Sequence, residues 1–146
     1  MIKSRQLSTQ ISIFIFLFAV AFLVRFINLG KAPLSDYEAG WALQSWEAVF
    51  GNKIQIGSNP SYLTFTNFLF YLFGSNNFIA RFLPALLGSI IVWIPFGFRD
   101  LLGYKTAMIM GVGLAFDPGM VAVSRIAGGP MMALGFLLFF LLFVYL

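Results

Sequence analysis

The sequence predicts an all-α integral membrane protein, a polytopic helical bundle, and three observations lead to that fold class. Hydrophobic residues make up 60% of the 146-residue chain, and its mean hydropathy is +0.92. Charged residues make up only 10%, whereas a soluble domain has roughly 25%. Several uncharged runs approach the ~20 residues that a helix needs to cross a bilayer.

The composition also excludes several kinds of site. The chain contains no cysteine and no histidine, so disulfides, thiolate metal sites and imidazole acid–base chemistry are ruled out. Its net charge is +4, but the basic residues are dispersed and form no patch suited to nucleic acid. Acid–base chemistry therefore falls to Asp, Glu, Lys or Tyr. The sequence indicates no metal site and requires no cofactor, and it leaves the need for a divalent metal open.

The first span is expected at about residues 11–29. Nineteen uncharged residues separate Arg5 from Arg25, which is longer than the apolar core of a usual signal peptide. Lys3 and Arg5 precede this span, so the positive-inside rule places the N-terminus in the cytoplasm. The membrane is expected to be the plasma (inner) membrane. Arg25 lies one turn from the far end, where a long side chain is expected to reach the interface.

The first loop, residues 30–81, is therefore expected to be extracytoplasmic and to hold one or two juxtamembrane helices. Ser35 followed by Glu38 is a capping-box pattern, and it predicts an amphipathic helix that ends near Gly51. The apolar segment Ser61–Gly74 has 14 residues, which as a helix cover only about 21 Å. That length favours a second helix in the interface over a span.

Three further spans are expected at about residues 82–98, 106–124 and 131–146. The span at residues 106–124 is interrupted at Asp117-Pro118, where the carboxylate is expected to bond backbone groups that the break leaves free. The last apolar run has no polar flank. The chain is therefore expected to be an N-terminal fragment of a longer polytopic protein.

The total is four spans if Ser61–Gly74 stays in the interface, and five if it crosses. The distribution of Lys and Arg between the loops does not decide between the two counts. With four spans, Asp36, Glu38, Arg81 and Arg125 all emerge on one side of the membrane. With five, the arginines and the carboxylates lie on opposite sides, so a shared site favours four.

These four charged residues are the main candidates for chemistry. Asp36 and Glu38 either stabilise the first turn of a helix or supply a general base at the membrane surface. Arg81 and Arg125 either extend to the interface or bind a phosphate, because guanidinium matches phosphate in a bidentate way. Together they suggest phosphate-linked chemistry, in which the arginines neutralise a leaving phosphate while a carboxylate takes the acceptor's proton.

Four stretches, in order, resemble a known family. They are "VRFINLG", "PLSDYEAGWAL", "NPSYLTFTNFLFYLFGSNNFIARFLPALLGS" and "SRIAGGP". The chain from about Arg25 onward resembles the N-terminal part of the GT-C fold glycosyltransferases, and looks closest to the protein O-mannosyltransferase and lipid A aminoarabinose-transferase group.

The resemblance implies transfer of a sugar, with inversion, from a polyprenyl-phosphate donor to an acceptor hydroxyl on a protein, glycan or lipid. The family's first-loop acid, its general base, corresponds to Asp36 or Glu38. Its donor-phosphate arginine corresponds to Arg81, with Arg125 as a second candidate. The resemblance also implies two juxtamembrane helices in the first loop.

The chain departs from the family pattern at three places. Tyr37 separates the two acids, which are usually adjacent, so the identity of the base stays open. Asn59-Pro60 stands where many relatives have Lys-Pro or His-Pro, and glycines follow the arginine of "SR" where many have an aspartate. Tyr37, Lys53, Asn59 and Tyr62 are the candidates for substrate contacts. The alternative function is a non-catalytic membrane protein that binds lipid or partner subunits.

Overall fold

The computed structural model describes residues 2–51 and 59–145, with side chains from residue 7 onward. Lys53 therefore lies outside the described residues. The described part of the chain is all helical and contains no strand. Its helices are α1 (Ile2–Phe26), α2 (Asp36–Val49), α3 (Pro60–Phe73), α4 (Asn77–Ile90), α5 (Ile94–Gly97), α6 (Arg99–Leu102), α7 (Tyr104–Phe116), α8 (Pro118–Ser124) and α9 (Gly129–Tyr145).

Two helical stretches are long and apolar enough to cross a membrane. They are Leu7–Phe26 and Asn77–Gly97, the latter continuing from α4 through a 3₁₀ turn into α5. The α7 and α8 helices form a third span if they are counted as one segment, which bends by 55° at the break between them. With 17 residues, α9 is shorter. The chain is thus a helical membrane protein. Its described residues contain two or three spans by length and composition, where the sequence predicted four or five.

The two helices expected in the first loop are present. Ser35 Oγ accepts from the Glu38 amide at 3.4 Å, and Glu38 Oε2 accepts from the Ser35 amide at 3.0 Å, so the predicted capping box begins α2. Pro60 begins α3, and α2 and α3 pack against each other. Residues of α2, α3, α4 and α9 share one apolar core, which includes Ala42, Tyr62, Phe70, Ala80 and Met132.

Two prolines leave helix carbonyls without their usual donor, and polar side chains from other helices satisfy them. Pro84 lies inside α4 and has no N–H for the carbonyl of Ala80, four residues earlier. Tyr62 donates its hydroxyl to that carbonyl at 2.9 Å. A side chain of α3 thus repairs the backbone of α4, which fixes the loop helices against a span.

Pro118 has the same effect on the carbonyl of Leu114 at the break between α7 and α8. Arg25 donates to that carbonyl at 2.8 Å and to the carbonyl of Ala115 at 3.2 Å. The Arg25 side chain is fully buried. The expectation that it reaches the interface is therefore wrong, because the broken helix offers it carbonyl acceptors inside the bundle. Asp117 accepts from the Met120 amide at 2.7 Å and caps α8, as expected.

Candidate functional site

Glu38 and Arg81 form a bidentate ion pair where the start of α2 meets α4. Arg81 Nε lies 2.7 Å from Glu38 Oε1, and Arg81 Nη2 lies 2.8 Å from Glu38 Oε2. The two side chains are only 7% and 6% exposed. Two parallel N–H···O bonds of this kind fix the relative orientation of both groups.

The remaining N–H groups of Arg81 are also used. Nη1 donates to the carbonyls of Leu29 and Ala32 at 3.1 and 2.8 Å, and Nη2 donates to the carbonyl of Pro33 at 3.0 Å. A guanidinium has five N–H donors, and all five of Arg81 are engaged. This geometry does not fit the expected role of Arg81 as a phosphate ligand, because no donor remains for a phosphate.

Glu38 is equally saturated. Besides Arg81, it accepts from the Ser35 amide and hydroxyl at 3.0 Å each and from the Ala127 amide at 2.8 Å. Burial by itself raises the pKa of this carboxyl, but the hydrogen bonds from Arg81, Ser35 and Ala127 outweigh burial and lower the pKa to about 2. Such a carboxylate is a weak base near neutral pH. Glu38 thus links α2 to α4 and to the turn before α9, and it does not fit the role of general base.

Asp36 differs from Glu38 although it lies in the same helical turn. It is the first residue of α2, its side chain is exposed, and it has no hydrogen-bond partner among the described residues. Two residues along a helix point about 200° apart, so the pairing of Glu38 turns Asp36 away from the bundle. Of the two candidate bases, only Asp36 keeps a free carboxylate.

Arg125 follows α8 and keeps part of its donor set. Nη1 donates to the carbonyl of Val24 and Nη2 to the carbonyl of Ile27, each at 2.8 Å. Its Nε and one N–H on each terminal nitrogen have no partner among the described residues, and the side chain is partly exposed. The backbone of α1 therefore orients the Arg125 guanidinium but leaves three donors for another acceptor.

The four charged candidates lie at one end of the bundle. The Ala127 amide joins the turn after Arg125 to Glu38, and Glu38 joins both to Arg81. Asp36 begins the helix that carries Glu38. The sequence favoured four spans on the ground of such a shared site, and that count stays a prediction.

The proposed substrate residues divide into three cases. Tyr37 is 55% exposed and lies edge-on to Trp41, with ring centroids 6.0 Å apart. Asn59 packs directly against Gly129, where a side chain would collide with its amide. Tyr62 is fully buried and bonded to α4, and burial raises the pKa of its phenol. Tyr62 is therefore a structural donor out of reach of a substrate, whereas Tyr37 remains accessible.

Sequence reasoning did not find the backbone partners of this site. Backbone groups complete the hydrogen bonds of both side chains. Arg81 donates to the carbonyls of residues 29, 32 and 33, and Glu38 accepts from the amide of Ala127. Only the capping box gave a signal that Glu38 is held in place. In the described part of the chain, no group of three or more His, Cys, Asp or Glu side chains could hold a metal ion.

Comparison with known proteins adds no relative to this picture. No family model matches the chain, no curated protein is similar enough to match it, and no solved structure matches its fold.

Proposed function

We propose that the chain is the N-terminal membrane module of a glycosyltransferase that uses a polyprenyl-phosphate sugar donor. It transfers the sugar with inversion to an acceptor hydroxyl on the extracytoplasmic face of the plasma (inner) membrane. The motif resemblance supports this proposal. The observation that carries it lies at one end of the bundle. There Glu38 and Arg81 use their hydrogen-bonding groups on each other and on the protein, whereas Asp36 and Arg125 keep groups that a substrate can bind.

The reaction assigns one role to each free group. The Asp36 carboxylate takes the proton of the acceptor hydroxyl as its oxygen attacks the anomeric carbon. The bond between that carbon and the phosphate oxygen breaks, and the electron pair leaves with polyprenyl phosphate. Arg125 donates hydrogen bonds to the leaving phosphate, whose charge it offsets.

The Glu38–Arg81 pair acts in this scheme as a positioning element. It holds the first turn of α2 against α4 and against the turn that follows Arg125. The pair thereby fixes the start of the helix that carries Asp36 relative to the turn that follows Arg125.

Donor binding is tested with the full chain in lipid nanodiscs and undecaprenyl phosphate as the probe. Arg125→Gln is expected to weaken binding roughly 10- to 100-fold, since a hydrogen bond to a charged group contributes about 1.5–3 kcal/mol. Arg99→Gln is the matched control, because Arg99 is a partly exposed arginine outside this site. Arg125→Lys separates loss of charge from loss of the bonds to α1. Equal affinity of the Arg125→Gln variant and the wild type would overturn the role of Arg125.

Catalysis is tested by sugar transfer from polyprenyl-phosphate hexose and pentose donors. Asp36→Asn is expected to lower the rate by about 10²–10⁴-fold, which is the usual contribution of a general base, while donor binding stays unchanged. Glu47→Gln is the control, because Glu47 lies in the same helix and its side chain has no hydrogen-bond partner among the described residues. Full transfer by the Asp36→Asn variant would exclude Asp36 as the base.

One observation favours the alternative of a non-catalytic membrane protein. Two of the four charged candidates, Glu38 and Arg81, form a buried structural pair. A scaffold that binds lipid or subunits would need such a pair to hold its helices together, just as an enzyme would. The two functions differ in the same experiments. A scaffold predicts no transfer by the wild type and no effect of Asp36→Asn on any binding measured.

A further inference from the structure

Helix α2 has one face that is packed into the protein and a second, apolar face that the protein leaves uncovered. Its buried face carries Glu38, Ala42 and Ser45. A second face carries Gly40 and Leu43, which are three residues apart and therefore lie on the same side of the helix. Leu43 is 54% exposed on that face. A surface helix normally buries one apolar stripe, so the second stripe needs an apolar partner of its own.

This second face is one wall of a groove of about 580 Å³. Leu34, Phe70 and Trp46 also contribute apolar lining, and residues 75–77 form a polar end. The volume lies within the roughly 300–1,000 Å³ of small-molecule sites. Among the described residues, none that lines the groove is charged, so its interior suits an uncharged apolar occupant.

The polar end offers hydrogen bonds that the protein does not use. The side-chain carbonyl of Asn76 accepts from the Ile79 amide at 2.8 Å and caps α4. Its amide nitrogen therefore points away from that cap and has no partner among the described residues. Ser75 is also exposed. An N–H and a hydroxyl at the mouth of an apolar groove complement ester and phosphate oxygens that lie next to a hydrocarbon chain.

The position of the groove identifies the source of such a chain. Asn77, in its polar end, begins the membrane-spanning stretch Asn77–Gly97. The groove thus opens where a span meets the membrane interface, which is where the glycerol region of a phospholipid lies. We propose that the groove binds one acyl chain of a bilayer phospholipid, with its ester region at Ser75 and Asn76. This site does not involve Asp36 or Arg125 and is independent of the proposed transfer reaction.

Gly40 provides a selective way to fill the groove. A Cβ atom added at Gly40 meets nothing within 4 Å, so a larger side chain extends into open space. The backbone there is helical, and leucine has a higher helix propensity than glycine, so the replacement does not weaken the helix. Gly113 is a matched control, because it lies inside α7 and a Cβ there also meets nothing within 4 Å.

The test is native mass spectrometry of the full chain in detergent, titrated with dioleoyl phosphatidylcholine. The wild type and Gly113→Leu are expected to bind one lipid tightly, and Gly40→Leu to bind it at least ~10-fold more weakly, because the added side chain takes the space of the acyl chain. Asn76→Ala would lose the cap of α4 as well as the lipid contact, so Ser75→Ala is the second variant and is expected to weaken binding severalfold. Equal binding by Gly40→Leu and the wild type, or no tight lipid on the wild type, would overturn the proposal.

Discussion

Replacement of Glu38 by glutamine tests the central contact of the structure. The substitution keeps the size of the side chain and one carbonyl oxygen, but it removes the charge and puts N–H donors opposite other donors. Glu38 receives bonds from Arg81, Ser35 and Ala127. At least one of these donors must lose its partner in the variant, and Arg81 is left as a buried cation without a counterion.

The expected loss of stability is large. Removing one partner of a buried ion pair costs about 3–5 kcal/mol, because the other charge stays buried and unpaired. The titration of Glu38 gives a similar figure. Its pKa falls from 4.5 to about 2 on folding, and one pKa unit corresponds to about 1.4 kcal/mol, so ionised Glu38 favours the folded state by roughly 3 kcal/mol. The three carbonyls that Arg81 also bonds make the lower end of the range the better expectation.

The sign of the pH effect follows from the direction of the pKa shift. A carboxyl whose pKa is lower in the folded state contributes its full stability above the unfolded value of 4.5, and loses it as the pH falls toward about 2. The wild type is therefore expected to lose roughly 3 kcal/mol across that interval. The Glu38→Gln variant starts lower at neutral pH and lacks this part of the acid transition.

Reversible unfolding in mixed micelles, followed by circular dichroism and tryptophan fluorescence, measures both effects. Glu47→Gln is the control and should unfold like the wild type, because the Glu47 side chain has no partner among the described residues. A double-mutant cycle with Arg81→Met isolates the coupling between the two side chains. A loss below about 1 kcal/mol for Glu38→Gln, with an unchanged acid transition, would refute the argument that this pair holds the end of the bundle together.

Three further predictions test local contacts of the fold, each read out as the free energy of unfolding. Tyr62→Phe should cost about 1–3 kcal/mol by leaving a buried carbonyl unpaired, and Pro84→Ala, which restores the missing backbone N–H, should recover much of that loss; no recovery would contradict the proline explanation. Gly88→Ala should cost about 1–3 kcal/mol by overpacking, because its Cβ would lie 2.5 Å from that of Ser124, and a neutral result would show that the helices can separate. Asp117→Ala should cost about 0.5–2 kcal/mol through loss of the cap of α8, whereas Asp117→Asn should be nearly neutral.

Local sequence patterns were sufficient for the elements of the first loop. Ser35 and Glu38 are three residues apart, and their capping box forms within one helical turn whatever the rest of the chain does. The break at Asp117-Pro118 follows in the same way from the missing N–H of proline. Composition was enough to identify a helical membrane protein. The proposed glycosyltransferase function stays a prediction from motif resemblance.

The use of the charged side chains depended on tertiary structure. Sequence showed that Arg25, Arg81 and Arg125 were present, but each has several possible partners at long range. Arg81 bonds a carboxylate 43 residues away, and Arg25 bonds carbonyls 89 and 90 residues away. Such pairings depend on how the helices pack, and helical periodicity carries no information about them.

The sequence by itself therefore determined the class of protein, the capping box that begins α2, the helix break before Pro118, and the short list of residues able to carry chemistry. These features depend on hydrophobicity and on backbone groups within a few residues of one another. The sequence did not determine where α4 begins, because that helix starts at Asn77 and carries Arg81, which the sequence had left at the end of the first loop. Only the tertiary structure decided which members of the list are free. It saturated Glu38 and Arg81 and left Asp36 and Arg125 with unused hydrogen-bonding capacity, because a buried charge must find partners wherever the fold brings them.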